Sequence, residues 1–533
     1  MVAALCGFPA RPRLRPHASP APARRYERRR PEKTPPHKIV SEHLESWLEW
    51  RDQAERPVPG YVEEELRGYL ECGILCFGFG RALCTGCGQG FVIAFSCKGR
   101  GVCPSCNGRH MAQTAAHLVD HVIPPVPVRQ WVISVPKRLR CFLANRPEAV
   151  AALTKIFLAE IERLLSAAVG VMIDAAAPAA ARPRLGAISF LHRFGSALNH
   201  HVHLHVCATD GVFMPAVGGA GCCASPAFLP ARSITQADLA TVTERVRRRV
   251  IRWFRLAHLL DASAAADMIA WENSGFSIDA SVRIAFIDRD VPSYFQSLEH
   301  LLRYCARPPF ALERLSVIRG PAGRITQVRY VLPRHKAANW VGRDRGRKST
   351  RPGANGVVEL TPFEFLDRLA DLVPPPRKHR HRYHGVFAPN HKLRPAVTAL
   401  AIGNIGKRRE AVTGGHAAGL RATGGCCDAN PNQKPRSHDT SRIAWAKLMA
   451  RVGEEFPLEC PNCGGDIRLI AFITEPGRIR KILTHLGEPL EPPPVSPARG
   501  PPTDCGELVQ IHDDRDVFQA SPDELPAIDI HSL

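Results

Sequence analysis

The strongest constraint in this chain is a spacing. Cys84-Thr85-Gly86-Cys87 and Cys103-Pro104-Ser105-Cys106 are two C-x2-C pairs with 15 residues between them. A C-x2-C turn brings two thiolates to one side of a bend, beside backbone amides that offset their charge, and two such turns close a tetrahedral zinc site. The spacing therefore predicts one structural Zn2+ held by Cys84, Cys87, Cys103 and Cys106. Cys72, Cys97 and His110 lie close enough in sequence to replace a ligand or to begin a second site. A closed four-cysteine site leaves no position for substrate, so its expected role is binding, with Lys98, Arg100 and Arg109 beside it as phosphate contacts. Cys460-Pro461-Asn462-Cys463-Gly464-Gly465 is half of a zinc ribbon, with no second half at ordinary spacing. Cys426, Cys427, His438 and His485 are its nearby candidate partners.

Cysteine usage has this meaning only if the thiols stay reduced. No run of about 18 apolar residues occurs, and Pro and Arg interrupt the first 15 residues before an apolar stretch of signal-peptide length forms. The expectation is a cytoplasmic protein without a membrane partner, whose 18 cysteines are metal ligands or buried thiols. Lys plus Arg number 71 against 50 Asp plus Glu, a formal charge of +21. Such an excess in a chain with 45% hydrophobic residues points to a polyanion, most often nucleic acid.

The length implies several domains. Residues 1–36 read as a basic tail without fixed structure and 37–115 as the zinc-binding, DNA-contacting domain. Residues 116–335 read as a mixed helix-and-strand domain, 336–400 as an extension and 401–440 as a linker. Residues 441–490 read as a small C-terminal domain around the last cysteine pair, and 491–533 as a tail. Helical periodicity covers 38–70, 147–165 and 293–305. Strands are expected at 130–135, 185–190, 202–207, 325–332 and 467–473, and helices at 443–452 and ending near Leu486. Thr361-Pro362-Phe363-Glu364 is a capping-box pattern opening a further helix.

His201-Val202-His203-Leu204-His205-Val206 alternates strictly. On a strand, alternate side chains share a face, so the three imidazoles point one way while the aliphatic residues enter the core. A divalent metal relieves the crowding of three imidazoles, and two or three of them leave positions open for a phosphate oxygen and water. Tyr304, on the 293–305 helix between Arg303 and Arg307, is a candidate nucleophile whose phenolate the two cations favour. A metal that polarises a phosphodiester and a tyrosine that attacks it yield a covalent phosphotyrosine and a free 3′-hydroxyl.

With both elements present, the chain resembles rolling-circle transposases of the HUH superfamily, in the insertion-sequence family numbered ninety-one. The similarity lies in Phe95-Ser96-Cys97-Lys98 and Cys103-Pro104-Ser105-Cys106, in Phe194-Gly195-Ser196-Ala197-Leu198-Asn199 with His201 to Val206, and in Thr209-Asp210-Gly211. It continues in Arg303-Tyr304 with Arg307-Pro308-Pro309, in His381 to Val386 and in Ala388-Pro389-Asn390. Together these span about 60–395, and the Cys460 region is similar to C-terminal extensions in part of the family.

The resemblance implies an α+β fold: an HUH-endonuclease antiparallel sheet with packed helices, a small zinc-binding domain before it and a small domain after it. It implies Mg2+ or Mn2+ on the strand histidines. His203 and His205 are the closest match, and His201 is either a third ligand or half of a His201/His203 register. It implies attack by Tyr304 on single-stranded DNA at the element's ends, leaving a 5′-phosphotyrosine, with single-stranded and target DNA as partners and a homodimer as a candidate assembly. Many members carry two tyrosines four residues apart. Here the earlier position is His300, which favours single-tyrosine chemistry, and His300 either assists proton transfer or fills the vacated place. Tyr294 does not share the spacing. The competing classes are a non-catalytic zinc-dependent DNA-binding protein and a plasmid replication initiator with the same chemistry.

Overall fold

The computed structural model describes residues 29–170, 182–215, 226–271, 275–286, 291–332, 356–402, 460, 463, 465 and 467–499. The first 28 residues, most of the expected linker, the helix expected at 443–452 and the end of the tail lie outside the described residues.

Where periodicity suggests one helical stretch over 38–70, the chain forms two helices, α1 (Pro35–Gln53) and α2 (Gly60–Glu71). Pro57 and Pro59 lie in the gap, where neither can donate to a helical ladder. A hairpin follows, β1 (Phe79–Cys84) and β2 (Gly90–Ala94), and then α3 (Pro104–His121). Cys103 caps α3, accepting from the Cys106 amide, and Pro104 occupies the first turn where its missing N–H costs nothing. Helix α3 runs straight through residue 115, the expected domain boundary.

The central region contributes β3 (Val128–Ser134), α4 (Lys137–Asn145), α5 (Pro147–Ala168), β4 (Gly186–Phe194), β5 (His200–Thr209), β6 (Gly211–Met214) and β7 (Ala227–Pro230). It continues with α6 (Gln236–Leu256), α7 (Ala262–Ala270), β8 (Ser277–Asp279), β9 (Arg283–Ile284) and α8 (Val291–Cys305). Then come β10 (Leu315–Arg319), β11 (Ile325–Val331), β12 (Val357–Leu360), α9 (Pro362–Leu372), β13 (His381–Gly385) and α10 (Arg394–Ile402). The last described elements are β14 (Ile467–Ile473) and α11 (Pro476–Leu486). The capping box opens α9 as its sequence specifies, with Thr361 and Glu364 bonding each other's backbone amides.

The main sheet is antiparallel in the order β13-β4-β5-β3-β8, with β9 also paired to β3. Strand alternation divides its side chains between two faces. Trp131, Ile133, Val202, Leu204 and Val206 pack on one side against Phe157 and Ile161 of α5, Val250 and Phe254 of α6 and Met268 of α7. Ile188, Phe190 and Cys207 face the other way, in a core with Leu118 of α3, Leu298 and Leu302 of α8 and Val397 of α10. A third core joins α1, α2 and α9 to the β10-β11-β12 sheet and to the tip of the β4–β5 hairpin. The fold is thus α+β, with helices on both faces of an antiparallel sheet.

The segment expected as a separate C-terminal domain instead supplies an edge strand: β14 pairs with β1 in a sheet ordered β14-β1-β2. Beyond α11 the chain lies along α1, where Ser496 N donates to Ser41 O at 2.8 Å and Arg499 N to Ser46 Oγ at 3.1 Å.

Asp210, just after β5, is buried and accepts from Arg129 Nε on Oδ1 at 2.8 Å and from Arg129 Nη2 on Oδ2 at 3.2 Å, with Arg283 Nε also donating to Oδ2. Losing one member of a buried, hydrogen-bonded pair strands the other's charge. Asp210→Ala is expected to lower stability by about 3–5 kcal/mol, measured as a shift in the urea midpoint at unchanged slope.

Candidate active site and cysteine clusters

The site is assembled by hairpin register. Gly195 N donates to Asn199 O at 2.8 Å, closing the β4–β5 turn, with Leu198 at φ 58°. A Cβ on Gly195 would sit 2.3 Å from Asn199 Oδ1, so a larger residue there would make the Asn199 side chain move. The resulting register sets His192 of β4 opposite His203 of β5. His192, His203 and His205, all buried, bring their ligand nitrogens within 4.8 Å of one another. His201 stands outside this trio, although its ring lies 5.0 Å from that of His203. The favoured pair, His203 and His205 of β5, is thus joined by His192 of β4 rather than by His201.

The partners of these rings fix their tautomers. His192 Nε2 lies 2.6 Å from the Cys305 carbonyl and His203 Nδ1 lies 3.1 Å from the His201 carbonyl. A carbonyl only accepts, so both nitrogens carry the proton, and Nδ1 of His192 and Nε2 of His203 hold lone pairs. His205 Nδ1 lies 2.7 Å from the Gln130 amide, whose oxygen and nitrogen are interchangeable by rotation. With the oxygen turned to Nδ1–H, His205 Nε2 also holds a lone pair. His192 Nδ1 and His205 Nε2 are buried without a hydrogen-bond partner among the described residues. Two inward lone pairs, each fixed by an outer partner on the ring's other nitrogen, suit a divalent cation.

Burial first, then neighbouring imidazoles and Arg307, holds His192 and His205 well below the ordinary 6.5. Both are neutral in the folded protein at pH 7. The unfolded chain takes up protons below about 6.5 that the folded metal-free protein refuses, so the sign is fixed. The contribution is fully present above 6.5 and declines as pH falls beneath it. Urea midpoints of metal-free protein are expected to fall between pH 7 and 5, and His192→Gln to flatten that slope.

Helix α8 delivers Tyr304 to the trio, with 5.7 Å between its ring centroid and that of His205. Its hydroxyl is buried without a hydrogen-bond partner among the described residues. Burial raises the Tyr304 pKa, and Arg307 partly opposes this. Arg307 lies over the Tyr304 ring at 4.6 Å and the Phe194 ring at 5.6 Å. Arg303 turns back along α8 to Glu299 at 2.8 Å. His300, one turn before Tyr304, is half-buried and outside the trio.

The four cysteines expected to share one metal are divided between two clusters. Cys72, Cys97, Cys103 and Cys106 form one, and Cys84, Cys87, Cys460 and Cys463 the other. The hairpin explains the division. Cys84 and Cys87 sit at its turn, while Cys72 and Cys97 flank its open end. Strand β1 alone holds the two ends about 17 Å apart.

In the first cluster, Sγ separations of 3.5 Å (Cys72–Cys103), 3.7 Å (Cys72–Cys106) and 3.6 Å (Cys97–Cys106) approach the roughly 3.8 Å edge of a tetrahedron with 2.3 Å zinc–sulfur bonds. Amides of Cys97 and Gly99 donate to Cys72 and Cys97 sulfurs. Glu65 accepts from the amides of Arg100, Gly101 and Val102, holding the loop between the ligands. This donor set supports structural Zn2+. His110 belongs to neither cluster. Of the basic residues expected at phosphates, Arg100 donates to the Lys378 carbonyl and Arg109 to Ser96 Oγ at 3.4 Å, while Lys98 adopts φ 55° beside Cys97.

Sequence reasoning missed three contributors. His192 carries no local signal, because one histidine on a strand is ordinary. Gln130 matters only through its place beside His205. Arg380 is held by Asn107 Oδ1 at 2.8 Å, and burial pushes its pKa down to about 10; with Arg307 it places positive charge near His192.

Residues 39–135 match a family model described as "Transposase zinc-binding domain" and residues 186–394 one described as "Putative transposase". The first span contains the first cysteine cluster, the second the histidine trio and Tyr304. No curated protein and no solved structure gives a match. Among the described residues no helix is long and apolar enough to cross a membrane. Two matches in this order, over the zinc-binding and histidine–tyrosine regions, identify the chain as a transposase of the insertion-sequence family numbered ninety-one.

Proposed function

We propose that this transposase nicks and rejoins single-stranded DNA at the ends of its element through a covalent 5′-phosphotyrosine, in rolling-circle fashion. The observation that carries the reading is the buried histidine trio beside the Tyr304 ring, where His192 Nδ1, His205 Nε2 and Tyr304 Oη are buried without hydrogen-bond partners among the described residues. A binding-only protein would bear the desolvation cost of those atoms, about 1–3 kcal/mol each, for nothing.

His192, His203 and His205 would hold Mg2+ or Mn2+. When bound, the cation supplies Lewis-acid polarisation of the scissile phosphate. The remaining work falls to the chain. Arg307 and Arg380 attract the phosphate, and Arg307 lowers the cost of ionising a phenol that burial keeps protonated. Tyr304 Oη loses its proton and bonds to phosphorus, the P–O3′ bond breaks, and the 3′-oxygen takes up a proton and leaves as hydroxyl. His300, one turn back on α8, is assigned the transfer of that proton. The phosphotyrosine retains the energy of the broken ester, so rejoining to another 3′-hydroxyl needs no nucleotide cofactor.

The test is a labelled single-stranded oligonucleotide carrying the element's end, incubated with Mn2+ and denatured. An adduct that survives denaturation and is absent with chelator supports the reading. Its absence on every candidate end, with DNA binding intact, returns the protein to the binding-only class.

A further inference from the structure

The second cysteine cluster joins residues more than 370 positions apart, Cys84 and Cys87 from the β1–β2 turn and Cys460 and Cys463 from the segment before β14. We propose that these four thiolates form a second structural zinc site, and that its metal fastens β14 and α11 onto the N-terminal hairpin. The inference is independent of how the histidine–tyrosine centre is read.

The sulfurs are placed for a metal and not for disulfides. Cys84 Sγ lies 3.5 Å from Cys463 Sγ and Cys87 Sγ 3.5 Å from Cys460 Sγ, near the tetrahedral edge and far beyond an S–S bond of about 2.05 Å. All four lie within 4.8 Å of one another.

The two turns are also built alike. Cys84 N donates to Gln89 O at 2.9 Å and Cys460 N to Gly465 O at 2.8 Å, the same five-residue closure around each C-x2-C. Glycine admits the sulfurs. A Cβ on Gly86 would meet Cys463 Sγ at 3.2 Å, and one on Gly465 would meet Cys84 Sγ at 3.2 Å and Cys463 Sγ at 3.3 Å. Each half therefore leaves room for the other half's thiolates.

Strand β14 pairs along the whole of β1 but buries little of itself. Not one of its seven residues is buried, and Leu469, Ile470 and Phe472 are exposed. Beneath it lies a small core of Leu75, Phe79, Ile479 and Leu483. A core of that size leaves little surplus over the entropy of ordering the segment, the situation in which small units take a structural metal. Zinc affinity then becomes docking free energy, because the complete ligand set exists only when both ends of the chain meet.

The experiment is metal analysis of the full chain together with amide hydrogen exchange. The wild type should carry two zinc ions per chain. Cys463→Ser should carry one and lose protection across β14, while α3 stays protected. Cys463→His, which restores a zinc donor, should recover the second ion and the β14 protection. One zinc in the wild type, two in Cys463→Ser, or β14 protection unchanged by the loss of an ion would each overturn the proposal. If Cys463→Ser also loses α3 protection, the decision passes to cobalt titration of the wild type. Thiolate-to-cobalt absorption rising to two equivalents supports the site, and saturation at one overturns it.

Discussion

Tyr304→Phe should abolish the covalent protein–DNA adduct while leaving DNA affinity and stability in place. Loss of a nucleophile from a concerted site is expected to cost on the order of 10^5-fold or more in rate, so the band should vanish from a denaturing gel. The substitution removes a single oxygen that has no hydrogen-bond partner among the described residues. The aromatic ring, its approach to His205 and its place beneath Arg307 all survive. Stability should hold or rise slightly, because a buried unpartnered hydroxyl is gone. DNA affinity measured at matched salt is the control for folding. An adduct that persists would place the nucleophile elsewhere. Tyr294 is then the nearest tyrosine on the same helix, but its hydroxyl donates to the Val126 carbonyl at 2.6 Å inside the core. The geometry thus ranks the two phenols in a way that spacing does not.

That contrast marks what the sequence made legible. Strict alternation from His201 to Val206 specifies a strand with imidazoles on one face and aliphatic side chains in the core. The structure has Val202, Leu204 and Val206 buried among α5 and α6 residues and His203 and His205 on the opposite side. The capping box at Thr361 is local chemistry, readable without knowledge of the fold. Features that depend on register were not readable. Which histidine completes the trio is decided by the turn at Gly195–Asn199, and the sequence near His192 offers no periodic cue. The cysteines show the same limit on a larger scale. Spacing pairs Cys84 and Cys87 with the nearest C-x2-C. The chain instead separates those pairs by the length of a strand, and brings Cys460 and Cys463 back from the far C-terminus through β14. Two prolines between α1 and α2 interrupt the helical periodicity of 38–70.

The histidine trio carries the second large expectation. His192→Ala should weaken Mn2+ binding by at least about 100-fold, since removal of even an outer partner of a metal ligand costs 10–100-fold. Strand cleavage should fall with it. His201→Ala should change both little, because it keeps the backbone carbonyl that accepts from His203 Nδ1. The two variants test opposite accounts of the same strand. If metal sits between alternate histidines of β5 alone, His201 is the third ligand and His192 a buried bystander. If it sits where β4 and β5 meet, His192 is essential. The geometry favours the second account, because His192 lies 4.2 Å from His205 ring to ring and its Nε2–H is committed to the Cys305 carbonyl. That bond also links the trio to α8 one residue beyond Tyr304, so the histidine trio and Tyr304 are positioned by the same helix. Calorimetric Mn2+ titration of each variant, with salt-matched DNA affinity as the folding control, separates the accounts. A large loss in His201→Ala with His192→Ala unaffected would reverse the assignment.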